Sequence, residues 1–463
     1  MIKYYLILLY NIFWLDYFYF VSCCGIIKCN TLGKCDIMQI YEIAKGVRLC
    51  AVPTDKFKTC RINISMAMPL DSNASARAIL PYFLHRRCAK YPDFIALNRQ
   101  LDELYGASVA GGVLKRGESQ VISFSLSAID DRFALDGDTV ALQCAELLAD
   151  MIFDPIKDGE SFPADMIEQE KHLLVEIIEN EMNDKRRYAS LRCQEIMFAD
   201  EAFSINHLGK VDEIKALTPE DVYDAWEEEL REATVQITLV GSMDVEPVVE
   251  MFKSRFADIR RIPAEIETQF VTAAPKPEYV CETMPIKQGK LVMGFRTGMH
   301  NEDDNAVPMR IAVDIFGGGV YSKLFTVVRE KMSLCYYCSA ALYNAKGFVL
   351  VQSGIEDANE EKAKKEILNQ LSLVAQGEFT DDDFSASIKG ISDSIISNND
   401  TPETICAWYA SQVLRDEPKT PEKYVEEIKA VERQQVISAA KTIMLDTVYM
   451  LKSNGEVNEN EDQ

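Results

Sequence analysis

Two stretches of this chain carry the same succession of local patterns, and that duplication limits the fold more than any single motif does. In the first stretch, residues 46–52 and 61–67 alternate apolar and polar side chains as half-buried strands do. A helix spanning Ala74 to Lys90 follows, and Val121-Ile-Ser-Phe-Ser-Leu reads as another strand. Asp136 to Ile152 is a helix with Leu142, Leu147, Leu148 and Met151 among its apolar positions; a longer one opens near Ala164 and runs past Glu181. Val235–Gly241 closes the unit as a strand. The second stretch repeats the order: strand 290–295, helix 307–316, strands 335–341 and 348–352, helices 359–376 and 381–397, and a last strand at 448–451. The pattern predicts an α+β protein of two tandem homologous domains, each an antiparallel-rich sheet covered by helices.

On this reading the first domain is 38–262 and the second 286–454, joined by a Pro-, Ala- and Thr-containing linker over 263–285. The acidic residues 455–463 form a tail that is expected to be disordered. Residues 1–37 differ from the rest. They are aromatic and aliphatic, broken by Asn11 and Asp16, with no strongly basic start and no small-residue cleavage site. They read as upstream sequence ahead of a natural start at Met38, with a membrane anchor as the alternative.

A net charge of −24 argues against nucleic acid or an anionic membrane as a partner, because both select Lys/Arg surpluses. The 13 cysteines are scattered through amphipathic segments rather than set at a disulfide spacing, which fits a reducing, cytoplasmic setting. Cys335 and Cys338 make a lone C-x-x-C on a strand, where positions three apart face opposite sides, so no joint metal or redox role is expected.

Three runs carry a more specific message: Phe316-Gly-Gly-Gly-Val-Tyr-Ser-Lys-Leu-Phe, then Arg329-Glu-Lys-Met-Ser-Leu-Cys-Tyr-Tyr, then Gly347-Phe-Val-Leu-Val-Gln-Ser-Gly. Together they resemble the insulinase/pitrilysin family of zinc peptidases, in its small two-domain bacterial and mitochondrial-processing form. The resemblance covers essentially Met38 to Asn454. Active members carry His-x-x-Glu-His on a helix of the first domain, where two His one turn apart hold Zn²⁺ and the Glu activates a water. Alignment on the run Arg86-Arg-Cys-Ala-Lys-Tyr-Pro places those positions at Ala78, Pro81 and Tyr82. Alanine has no donor atom and proline no carboxylate. The four histidines, His85, His172, His207 and His300, form no helical pair in any register. The family's third ligand falls on Glu176, a relic position without partners, so no metal and no cofactor are expected.

What the resemblance leaves in place lies on the substrate side. Arg329 and Tyr336 match an Arg/Tyr pair that donates to the oxyanion near the scissile carbonyl, although a structural Arg and a core Tyr would look the same. Gly317, Gly318 and Gly319 read either as a loop that lets an extended peptide approach or as a simple helix–helix turn. The resemblance implies a non-catalytic subunit that closes on a homologous zinc-bearing partner around a peptide or protein substrate. It is closest to a degenerate bacterial subtype associated with elongation factor P modification. The alternative is a peptide- or protein-binding scaffold with no peptidase role.

Overall fold

The computed structural model describes residues 38–272, 276–300 and 302–455. The N-terminal segment 1–37 and the tail beyond 455 lie outside the described residues. No helix among the described residues is long and apolar enough to cross a membrane.

The strands are β1 (Gln39–Ala44), β2 (Val47–Pro53), β3 (Thr59–Pro69), β4 (Ser108–Arg116), β5 (Ser119–Ile129), β6 (Thr234–Gly241), β7 (Glu278–Met284), β8 (Gly289–Arg296), β9 (Cys335–Tyr343), β10 (Phe348–Ile355) and β11 (Met444–Ser453). They form a six-stranded sheet, β1-β2-β6-β3-β5-β4, and a five-stranded sheet, β7-β11-β8-β10-β9. Apart from β1 the two sheets are topologically the same. In each, a parallel pair (β2 with β6, β7 with β11) is followed by antiparallel neighbours out to an edge strand, β4 or β9. The element order read from the sequence is therefore a structural repeat.

The repeat also exposes two corrections. The segment read as a linker, 263–285, ends in β7, which is the counterpart of β2. Its side chains alternate between exposed and half-buried, so it carries no apolar signature; main-chain pairing with β11 holds it. The edge strand β4, likewise absent from the sequence reading, holds Gly111 and Gly112, which dilute the strand pattern.

Each sheet is crossed by one helix buried on nearly every side: α1 (Ala74–Leu84), in which every residue except Tyr82 is buried, and its counterpart Ala306–Gly317. An all-round apolar sequence suits such a central helix. The two halves do not cover themselves independently. Helix Lys185–Met197, from the first half of the chain, lays Ala189, Cys193 and Met197 on the second sheet among Val292, Leu350, Tyr449 and Leu451. Phe198, Phe203 and Phe348 meet edge to face beside them, with ring centroids 4.6–5.4 Å apart. In return, helix Pro402–Ala410 from the second half packs Ile405, Cys406 and Tyr409 against Val240 of the first sheet. There Gln236 Nε2 donates to Tyr409 O at 2.6 Å, and Arg48 spans to Gln412 O at 2.8 Å.

The β4–β5 and β9–β10 turns meet at a buried ion cluster. Lys346 Nζ lies 2.5 Å from both Glu118 Oε1 and Glu201 Oε2 and donates to Gln269 O at 2.6 Å. Arg296 bonds Glu201 at 2.6 Å and Asp446 at 2.7 Å. A side chain at Gly117, whose φ is +54°, would collide with Ala345 O of the facing turn. Lys346→Met leaves the buried Glu118 carboxylate without its cation and leaves Glu201 with Arg296 alone. We expect a loss of about 3–5 kcal/mol of stability, read as a lowered urea midpoint, with a loss under about 1 kcal/mol contradicting the structural role. Because each half lends a helix to the other, residues 38–262 expressed alone are expected to lack a cooperative unfolding transition, which calorimetry would detect.

Candidate functional site

The positions matched to the family's zinc motif lie on α1. Ala78 and Pro81 are buried, and Tyr82 is the one residue of this helix left half-buried. Pro81 cannot donate to the carbonyl one turn back, and its own carbonyl is occupied. It accepts from the His85 backbone at 3.3 Å and lies 2.6 Å from His85 Nδ1. Burial holds the His85 imidazole down at about 4, so it is neutral at pH 7, and the contact with a carbonyl places its proton on Nδ1. The Tyr82 phenol is pushed up to about 12 by burial, with the negative charge of Glu181 adding to it. This set does not fit a zinc ion: an alanine, a proline with a satisfied carbonyl, and a phenol kept protonated. Among the described residues no group of three or more His, Cys, Asp or Glu is placed to share a metal ion.

The long helix Ala164–Asn183 packs against α1 and supplies carboxylates, though not the one expected. Glu176 is half exposed and pairs with His172 Nε2 at 3.2 Å, one turn away on the same helix. The carboxylate whose field reaches Tyr82 is Glu181, itself held by Arg187 at 2.6 Å. Glu170 is fully buried between Arg86 (3.6 Å) and Arg87 (3.1 Å), so the arginines used to align the lost motif hold a structural carboxylate. Burial raises the Glu170 pKa, and the two guanidinium groups oppose that shift.

The glycine run sits at the end of helix Ala306–Gly317, and none of its three residues has a positive φ. A Cβ on Gly317 would lie 2.6 Å from the Ala340 Cβ of β9 and 2.7 Å from Leu324. One on Gly318 would strike Asp314, and one on Gly319 the Tyr321 ring. The close approach at Gly317 is thus between a helix and the chain's own strand, while at Gly318 and Gly319 it is to the side chains of Asp314 and Tyr321, which favours the turn of the two readings. The first half makes the same contact with the roles exchanged, since a Cβ on Gly111 of β4 would lie 2.5 Å from Pro81 O.

Arg329 and Tyr336 occupy different surroundings. Leu324–Lys331 is a π-helix, with Arg329 partly exposed over the Phe325 ring at 4.5 Å. π-Helical turns are uncommon and concentrate at functional sites. Tyr336 stands 75% exposed at the start of β9, the free edge of its sheet. The pairing explains why. Cys335 lies opposite Ile355 and Tyr337 opposite Gly354, so Tyr336 is the unpaired residue of a β-bulge and points out of the ladder. Arg329 is near enough to this strand for its charge to act on the Cys335 thiol.

Residues 216–391 match the family model described as Peptidase M16 inactive domain. The chain is 30% identical over 408 residues to a Bacillus subtilis protein called probable inactive metalloprotease YmfF, covering 88% of this chain and 96% of that one. It belongs to the M16 peptidase family. A conserved protein from Enterococcus faecalis superposes with a TM-score of 0.82 at 26% identity, over 91% of this chain and 100% of the other. A Pseudomonas fluorescens structure described as a peptidase M16 inactive domain shares the fold, with a TM-score of 0.75 at 18% identity and coverage of 91% and 99%. Within the family this chain is an inactive, degenerate member. The matched span includes the glycine run, Arg329 and Tyr336.

Beside the degenerate positions, α1 carries a group the sequence did not single out. Arg77 is fully buried, donating to Pro69 O at 2.8 Å and pairing with Asp71. Glu229, on helix Pro219–Glu232, is buried in its field, and neither carboxylate oxygen has a hydrogen-bond partner among the described residues. Burial pushes Glu229 up to about 8. A carboxyl raised in the folded state binds its proton more tightly there than in the unfolded chain. Its contribution to stability is therefore complete below about 4.5 and lost as pH rises through about 8. Glu229→Gln should flatten the fall in melting temperature between about pH 5 and pH 8, and an identical fall in both proteins would reject this assignment.

Proposed function

We propose that this chain is the non-catalytic subunit of a two-chain bacterial peptidase, paired with a homologous M16 partner that carries the intact zinc motif. The observation carrying this reading is Tyr336, which a β-bulge lifts out of an edge strand into solvent beside the π-helical Arg329. A buried, solvent-free tyrosine would have spoken for a purely structural role. In such a pair the partner supplies the metal and the general base. Arg329 and Tyr336 donate from this side to the oxygen that gains charge as the peptide bond is attacked. Free edge β9 supports an extended peptide or protein as the substrate, since a strand laid along a sheet edge gains main-chain hydrogen bonds. The acidic surface favours a basic substrate segment. The family resemblance suggests a cytoplasmic pair working in elongation factor P modification, and free thiols throughout the described residues fit a reducing compartment.

One observation favours the scaffold alternative: the glycine run is filled by the chain's own side chains, leaving less room for a substrate-binding loop. The two readings separate in a reconstitution. The full chain and a His-x-x-Glu-His homologue from the same source are purified alone and together, then assayed for metal and for cleavage of an unstructured basic peptide. We expect zinc in the homologue only and activity in the mixture only. Arg329→Ala with Tyr336→Phe should reduce kcat of the mixture by about 10²-fold or more while the complex still forms. Unchanged turnover removes these residues from the reaction, and failure to form any complex moves the protein to the scaffold reading.

A further inference from the structure

The bulge that exposes Tyr336 has a second effect, on the two cysteines that flank it. On a regular strand Cys335 and Cys338 would point to opposite faces, as the sequence spacing suggested. Here Cys335 pairs across the ladder with Ile355 and Cys338 with Ser353. Ile355 and Ser353 are two apart on a regular strand and share one face, and directly paired residues share a face with their partners. The extra residue at Tyr336 therefore turns both thiols to the same side. Cys338 is buried in the core of the second half, and Cys335 packs on that core while keeping partial access to solvent. Ser353 is buried opposite Cys338, and its hydroxyl donates to Tyr337 O at 3.0 Å, across the same bulge.

We propose that Cys335 and Cys338 form a thiol–disulfide exchange site, with Cys335 as the accessible nucleophile and Cys338 as the buried resolving thiol, acting on low-molecular-weight disulfides. The order of reaction follows from their exposure. The Cys335 thiolate attacks one sulfur of a small disulfide R–S–S–R, forming a Cys335–S–S–R bond and releasing RS⁻. Cys338 then loses its proton, and its thiolate attacks the Cys335 sulfur, closing the Cys335–Cys338 disulfide and expelling the second RS⁻. The two protein thiols give up two electrons and two protons, and the small disulfide becomes two thiols. The electrostatics agree with this division of labour. Interaction with Cys338, then with Ser353 and the Arg329 charge, lowers the Cys335 thiol against the effect of burial, whereas the Cys338 thiol is raised. A partly exposed, acidified thiol beside a buried, poorly acidic one is the arrangement that makes a C-x-x-C pair reactive. The closed bridge would span Tyr336 and Tyr337 and tie one end of the bulge to the regular ladder beyond it. This inference is independent of the proposed pairing, because it needs no partner chain.

The test uses the full reduced chain treated with oxidised glutathione, alkylated at intervals and mapped by peptide mass spectrometry. Wild type should lose the Cys335 and Cys338 thiols together, with no lasting glutathione adduct on either. Cys338→Ser, and Cys338→Ala as a second variant, should hold a stable adduct on Cys335, formed at least about tenfold faster than on the exposed Cys281. Cys335→Ser should form neither bridge nor adduct on this strand. The proposal is overturned if wild type keeps an adduct at Cys335 without bridging, if Cys281 reacts first, or if both Cys338 variants, shown folded by circular dichroism, leave Cys335 unmodified.

Discussion

The ammonium of Lys346 is the point on which the two halves of this protein depend. It sits in the β9–β10 turn and touches Glu118 of the equivalent β4–β5 turn, Glu201 after the helix lent to the second sheet, and the main chain of the connecting segment at Gln269. Arg296 extends the cluster to Asp446 on β11. Five charges in a buried junction cost much to desolvate and return little net stability. What they impose is register: an apolar junction would tolerate sliding, and this one allows a single seating of turn against turn. Around it the exchanged helices complete each sheet's apolar cover with residues from the other half. The consequence for function is that the edge strands β4 and β9 are held within one body rather than in two hinged ones.

Much of this was legible in the sequence. The duplicated order of elements is a matter of hydrophobic periodicity, which survives when individual residues change. The central helices, the long helix from Ala164 and the paired strands start where the periodicity puts them, but α1 ends at Leu84 rather than continuing to Lys90. The strands that escaped notice are those whose stability comes from elsewhere. β7 is held by main-chain pairing, and β4 carries two glycines because its backbone must lie against Pro81. Each occupies the place in its repeat that β2 or β9 occupies in the other. The repeat itself was the signal that could have found them.

The candidate site was less legible, and for a different reason. The reading of Ala78, Pro81 and Tyr82 as degenerate zinc positions rests on residue chemistry alone: no register turns an alanine and a proline into ligands. Glu176, the glycine run and the two cysteines depended on which way a side chain points. Sequence supplies that only if a helix or strand stays regular. Glu176 and Glu181 are five apart on one helix, a separation that turns them to different faces, and only Glu181 acts on Tyr82. One inserted residue at Tyr336 reverses the facing of everything before it on β9, and no local composition announces it. The glycines could be read either as a loop for a peptide or as a turn, because a helix–strand contact made through Gly317 has the same sequence as a flexible turn.

The two repeats also explain how an M16 chain can lose its metal and keep its fold. In the second half the central helix ends at Gly317 against Ala340 of its edge strand; in the first, α1 brings Pro81 against Gly111 of its own. These are the same contact, made once with the glycine on the helix and once with it on the strand. A proline inside a helix removes one hydrogen bond and typically costs about 3 kcal/mol. It can be carried here because ten of the eleven residues of α1 are buried, so packing rather than helical hydrogen bonding holds the element in place. The helix that an active member needs for zinc is, in this chain, needed for its core alone. The exposed polar side chains that match the family's second-half pattern stand elsewhere, where packing does not restrict them: Arg329 on a π-helix and Tyr336 on a bulge, both at the solvent edge of the second sheet.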